Sequence, residues 1–314
     1  MEYPIHGETF DDLLGKADIA MYDARESQTT FSVYDESIDP NNELAINLRA
    51  DLITAVKENQ LEIYYQPQVD SSHQSAPGLE ALVRWHLPER GIVPPLDFIP
   101  FAEQNNLISL ITRWVVEKAI EECSRWIKEG VITNISVNVS PHDFSDIRVL
   151  DPEWIATLMR GQSIPLDCLV LEVTENLLIN NSARVDEQMR NLNESGIELS
   201  LDDFGTGYSS LTYLHQLPVK EVKIDKSFVM KLDNKNKFVI VKSIVELGHN
   251  LGLRVVAEGV ETESHVDALK GLGCERLQGY FFCKPKPVDE IDLWLRNYCE
   301  TYSENWLPKR NNVG

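Results

Sequence analysis

The chain has 314 residues, 43% of them hydrophobic, enough for one large domain or two medium ones around a sizeable core, which excludes a disordered or fibrous chain. Lys and Arg number 29 against 50 Asp and Glu, a net charge of −21, and so acidic a chain repels a phosphate backbone, excluding general binding of DNA or RNA polymers. Its five cysteines, Cys123, Cys168, Cys274, Cys283 and Cys299, are odd in number and form no Cys-x-x-Cys pair, so neither a disulfide framework nor a zinc ribbon is expected.

Residues 1–42 read differently from the rest. Phe10, Leu13, Leu14, Ala17, Ala20, Met21 and Ala24 recur at helical spacing, and Thr29 to Tyr34 then reads as a strand. So short a piece cannot bury its apolar face alone. The polar stretch Asp35 to Asn42 marks a boundary, and Glu43 to Glu58 reads as an amphipathic helix.

From Leu61 onward, short apolar runs alternate with helical stretches. The runs are residues 61–67, 79–85, 135–140, 168–175, 198–205, 221–225, 254–260 and 276–282. Between them, Leu107 to Lys128, Asn181 to Ser195, Lys237 to Leu251 and Glu263 to Gly271 read as helices, several stopped by glycine. Eight strands alternating with helices predict an α/β fold, a (β/α)8 TIM-like barrel, with a doubly wound sheet as the competing arrangement. No stretch approaches about 18 uninterrupted apolar residues and the N-terminus carries no basic region before an apolar run, so a cytoplasmic location is expected.

In a barrel, chemistry collects at the C-terminal ends of the strands. Gln66, Glu80, Asn138, Glu172, Asp202, Asp203, Lys223, Glu258 and Gln278 all follow or interrupt the apolar runs. A partly buried charge there is costly unless it is paired or binds a metal. Taken singly, each reads as a polar group at a strand end; nine from eight strands would make a site.

The motifs that carry these residues are EAL (80–82), LEVTE (171–175), LDDFGTGYSSL (201–211), VKIDKSFV (222–229), VVAEGVET (255–262) and QGYFFCKP (278–285). In this order they resemble the EAL-domain cyclic di-GMP phosphodiesterases, over residues 43–302, with 303–314 as a tail. Residues 1–42, with EYPIHG and LLGKADIAMYDA, resemble the C-terminal end of a GGDEF (diguanylate cyclase) domain without its signature loop. The resemblance therefore implies a piece of a longer protein with sensory and GGDEF parts upstream, whose parent could be membrane-anchored there.

By motif matching, the resemblance implies two divalent ions, the first on Glu80, Asn138, Glu172 and Asp202 and the second on Asp202, Asp203 and Glu258. An all-oxygen donor set favours Mg²⁺ or Mn²⁺ over Zn²⁺, and Ca²⁺, with looser geometry, is expected to inhibit turnover. A carboxylate shared by two ions roughly 3.5–4 Å apart suits in-line displacement at phosphorus. Lys223 matches the family's lysine beside the attacking water, as general base or as orienting charge; Glu175 would hold the DDFGTG loop. Arg84 matches a substrate-phosphate contact, and Gln66 and Gln278 guanine-side or site-lining contacts. The implied activity is hydrolysis of cyclic di-GMP to linear pGpG by a homodimer in bacterial second-messenger signalling.

Members that have lost metal positions serve as receptors or partner-binding modules, the alternative function. Here every metal position, Lys223 and Glu175 are present. Two departures stand out: Lys220 where the family commonly has Asp, which touches on dimer coupling, and Asp143 where it commonly has Gln.

Overall fold

The computed structural model describes residues 9–26, 31–34, 43–58, 60–87, 91–178, 183–206, 214 and 216–305. In chain order its main elements are α1 (Phe10–Glu26), α2 (Glu43–Lys57), β1 (Leu61–Asp70), β2 (Gly78–Leu87), β3 (Gly91–Val93), α3 (Pro95–Gln104), α4 (Ile108–Lys128), β4 (Ile135–Val139) and α5 (Pro152–Gly161). They continue as β5 (Leu169–Thr174), α6 (Ala183–Ser195), β6 (Glu198–Phe204), β7 (Glu221–Ile224), α7 (Lys235–Asn250), β8 (Arg254–Ala257), α8 (Glu263–Leu272), β9 (Arg276–Gln278), β10 (Lys286–Pro287) and α9 (Val288–Tyr302). No helix among the described residues is long and apolar enough to cross a membrane. The chain divides into two compact units, residues Met1–Leu61 with Trp85–Leu107 and residues Glu62–Arg84 with Ile108–Gly314.

In the first unit, α1 and α2 lie where the sequence predicts helices. The strand expected at Thr29 to Tyr34 is corrected: its first two residues lie outside the described residues, and Phe31–Tyr34 form no strand. Phe31 and Val33 are exposed, so their alternation completes no sheet face; buried Tyr34 holds the segment instead, with the Lys16 Nζ 4.9 Å from its ring centre. The boundary at Asp35 to Asn42 and the EYPIHG motif lie outside the described residues. Strand β3 pairs antiparallel with the last residues of β2, Trp85 opposite Val93, and Trp85 packs edge-on against Phe98 of α3 at 5.7 Å.

The second unit is the barrel. Strands β2 and β4–β9 run parallel to one another in sequence order, and pairing of β1 with both β9 and β2 closes the ring at eight strands. All eight expected runs are barrel strands. One feature departs from a (β/α)8 ring: β1 pairs antiparallel with β9 and so opposes the other seven. The cause is the connection. Only residues 71–77 link β1 to β2, enough for a hairpin loop and too few for the helical crossover a parallel pair needs.

The helices follow from spacing and caps. Along α4, Ile108, Ile111, Val115, Ala119, Cys123 and Trp126 recur every three or four residues and are buried, with Arg125 and Lys128 in the last turn where the helix dipole favours cations. Helix α7 starts on Asn234, whose side chain accepts from the Asn236 and Lys237 amides, and α8 runs from the Thr262 cap to Gly273 in the left-handed region at φ 93°. Helices α3, α5 and α9, and the short strands β3 and β10, lie outside the expected set.

Both departures from the family pattern have places in this unit. Lys220 is exposed at the start of β7, at the end of the barrel where the strands begin. Asp143 is fully buried, in the turn after β4, accepting from the Thr112 hydroxyl (2.7 Å), the Ser109 hydroxyl (2.9 Å) and the Ser140 amide (3.0 Å). It thereby ties α4 to the loop that follows Asn138. Asp143→Ala strands these buried donors, and a loss of roughly 1–3 kcal/mol is expected, read as a lower urea midpoint at unchanged slope; an unchanged midpoint would refute the tie.

Candidate active site

Inside the barrel, residues two apart on a strand share a face, so each parallel strand delivers its polar residue to the same mouth. On β2 this is Glu80, whose two oxygens are both occupied: Oε1 accepts from Asn138 Nδ2 of β4 at 2.7 Å, and Oε2 accepts from Gln278 Nε2 of β9. Gln278 Nε2 also donates to Gln66 Oε1 of β1 at 3.1 Å, and Gln66 Nε2 donates to the Cys283 carbonyl at 3.0 Å. The two glutamines thus form a wall on the Glu80 side. Arg84, four residues along β2 and half-buried, donates through Nη1 to the Val83 carbonyl at 2.8 Å and rests 5.5 Å from the Tyr64 ring centre.

Glu172 of β5 faces Lys223 of β7. Lys223 is fully buried, and its Nζ lies 2.6 Å from Glu172 Oε2, 2.6 Å from Glu258 Oε1, 3.5 Å from Asp202 Oδ1 and 3.6 Å from Glu80 Oε2. Four carboxylates therefore surround one ammonium.

On β6 the ladder shifts register between Leu201 and Phe204, and Asp203 takes a left-handed φ of 54°. In a regular strand, consecutive side chains point to opposite faces; the bulge turns Asp202 and Asp203 to one side, at a conformational cost of roughly 1–3 kcal/mol. Oxygens of Asp202, Asp203 and Glu258 all come within 4.8 Å of one another. Gly205 follows at φ 98°, where a Cβ would also meet the Ile244 methyl and the Phe228 ring at 3.2 Å. Its amide donates to Glu175 Oε2 at 3.0 Å, tying the bulged segment to the turn after β5. Gly207, further along this loop, lies outside the described residues.

Charge follows from this crowding. Burial, with the neighbouring carboxylates, pushes Glu172 well above the usual carboxylate range, raises Asp202, and lifts Glu258 to about 8 and Asp203 to about 6. Burial also works to raise Glu80, but Lys223 and the Gln278 and Asn138 amides prevail and hold it below its ordinary value. For Lys223, burial favours the neutral amine, yet the surrounding carboxylates prevail and keep it well above the usual lysine range. An oxygen cluster whose charge is disfavoured by burial and crowding is a site that could bind a metal ion.

A matching family model, the EAL domain, covers residues 49–285. The chain belongs to the EAL domain family. Among relatives, this EAL chain is 36% identical over 292 residues to the bifunctional diguanylate cyclase/cyclic di-GMP phosphodiesterase MucR of Pseudomonas aeruginosa, covering 92% of this chain and 42% of that protein. It is 33% identical over 298 residues to the cyclic di-GMP phosphodiesterase PdeR of Escherichia coli, covering 94% of this chain and 44% of PdeR. The chain thus spans less than half the length of either. Among solved structures it resembles a PaMucR phosphodiesterase in complex with c-di-GMP, with a TM-score of 0.72 and 37% identity over 78% of this chain and 99% of that one.

The fold gathers Gln66, Glu80, Arg84, Asn138, Glu172, Glu175, Asp202, Asp203, Lys223, Glu258 and Gln278 on the strands or loops of one EAL barrel. It also adds Gln68 of β1, fully buried, whose Nε2 donates to Glu172 Oε1 at 3.2 Å. Its signal in the sequence is a spacing of two from Gln66, which puts both on one face of the strand.

Carboxylates that hold protons must release them before they bind a cation, so affinity should rise with pH. With Asp203 at about 6 and Glu258 at about 8 in the metal-free protein, Mn²⁺ affinity is expected to climb from pH 6 to pH 8. Calorimetric titration at pH 6, 7, 8 and 9 checks this, and a flat profile would refute it.

Proposed function

We propose that this chain hydrolyses cyclic di-GMP to linear pGpG with two divalent cations, Mg²⁺ or Mn²⁺. The observation that carries the reading is the convergence of Glu80, Glu172, Asp202 and Glu258 on buried Lys223, beside the close trio Asp202, Asp203 and Glu258. Glu80, Asn138, Glu172 and Asp202 would hold one ion, and Asp202, Asp203 and Glu258 the other. The donors are all oxygen, and burial and mutual crowding raise the proton affinity of Glu172, Asp202 and Glu258, so the residues present fit hard divalent cations. When bound, such ions supply Lewis acidity that activates water and neutralises charge developing on a phosphate.

The chain's own groups do the rest. Lys223, held charged, orients the attacking water and stabilises the negative charge of the transition state. Glu175 fixes the bulge that points Asp202 and Asp203 into the site. Arg84, stacked near Tyr64 with its fork partly free of side-chain partners, offers paired N–H groups to a phosphate, and Gln66 and Gln278 line the Glu80 side. The reading extends to a homodimer in the cytoplasm with GGDEF and sensory parts upstream; the greater length of the relatives and the bifunctional name of MucR support those upstream parts.

The test is chromatography of cyclic di-GMP incubated with the purified chain in Mg²⁺, Mn²⁺, Ca²⁺ or chelator. pGpG is expected in Mg²⁺ and Mn²⁺ and not in Ca²⁺ or chelator. Intact nucleotide under all four conditions would overturn the enzyme reading, and binding without cleavage would make the chain a receptor.

A further inference from the structure

Each glutamate that crosses the barrel interior has two oxygens to satisfy. Those of Glu80 are met by Asn138 and Gln278. Those of Glu172 are met by Lys223 on Oε2 and by Gln68 on Oε1, and both glutamates are buried. Gln68 reaches this position because β1 opposes the other strands: paired with Gln278 of β9, it presents its side chain to the interior from the neighbouring strand. The ionised carboxylate, the form that takes a cation, can only accept, and the amide turns its nitrogen to Glu172. On the other side, Gln68 Oε1 is buried and meets no protein donor. The bond to Glu172 is therefore what orients the amide. An amide buried with half its capacity unused costs stability that an apolar residue of the same size would not.

We propose that Gln68 is a positioning residue for Glu172: it fixes the rotation of that carboxylate and so presents it for cation binding. The inference rests on the metal-dependent reading of the site. Ser136 supplies the comparison. It is buried in the adjacent part of the same interior, its hydroxyl also lacks a protein partner, and it bonds to none of the proposed ligands.

The test is Mn²⁺ binding to the full chain without nucleotide, read from the free-ion electron paramagnetic resonance signal, for the natural protein, Gln68→Met and Ser136→Ala. Loss of an outer partner of a metal ligand weakens metal affinity by about 10- to 100-fold, so Gln68→Met should bind at least tenfold more weakly while Ser136→Ala binds as the natural protein does. Circular dichroism melts without metal confirm folding; if Gln68→Met is unfolded, Gln68→Asn, too short to reach Glu172, makes the same prediction. Natural affinity in a folded Gln68 variant, or equal weakening in Ser136→Ala, overturns the positioning role and leaves the metal site standing. Failure of the natural protein to bind Mn²⁺ overturns the metal reading and this inference with it.

Discussion

Lys223→Met should lower turnover of cyclic di-GMP by about 10²- to 10⁴-fold while strengthening the hold of the site on divalent cations. The two effects have opposite signs because Lys223 competes with the metal. Without a cation, its ammonium lies among four carboxyl groups, two of them at 2.6 Å. Removing one partner from a buried ion pair costs roughly 3–5 kcal/mol, part of which the carboxylates recover by taking up protons. The metal-free variant should therefore melt below the natural protein. Added Mn²⁺ meets the same oxygens with no ammonium among them, and stabilisation by a ligand grows with its affinity. The melting temperature should rise more on adding Mn²⁺ to the variant than to the natural protein. Turnover within threefold of natural would remove Lys223 from the mechanism; a smaller metal-induced shift would show that it supports cation binding rather than opposing it.

Much of this barrel is legible in the sequence because parallel strands covered on both faces must be written as apolar runs, and a charge within such a run is conspicuous. Glu172 in LVLEVT and Lys223 in EVKI are found that way. What periodicity does not carry is direction. Nothing in LEIYYQP says that β1 opposes its neighbours; only the brevity of residues 71–77 does. Pro67 also hides the length of the strand, since proline ordinarily ends one. Here β1 continues to Asp70, because Pro67 falls between the pairing of Tyr64 and Tyr65 with β10 and the pairing of Gln68 to Asp70 with β9. Ending the run at Pro67 is what leaves Gln68 out of the expected site. The bulge in β6 is hidden for a related reason: the letters of LDDF give two adjacent acids, and only the backbone at Asp203 shows that both face one way.

That bulge sets the second large effect. Glu175→Leu should reduce turnover by about 100-fold and weaken Mn²⁺ binding, although Glu175 is outside the proposed ligand set. Asp203 is a non-glycine residue held in the left-handed region against its intrinsic preference, and Gly205, two residues on, takes a positive φ that only glycine accepts freely. Such a backbone persists only where something outside it fixes it, and the bond from the Gly205 amide to Glu175 Oε2 is a direct restraint from a neighbouring strand end. Without the acceptor, the Gly205 amide loses its partner and the segment can relax toward a regular strand, which turns Asp202 and Asp203 to opposite faces. Glu175→Gln is the discriminating companion, because its amide oxygen can still accept from Gly205. It should keep turnover within about tenfold of natural and bind Mn²⁺ unchanged. If the Gln variant fails as completely as the Leu variant, the charge of Glu175 matters in its own right, and its role as a restraint on the bulge is refuted.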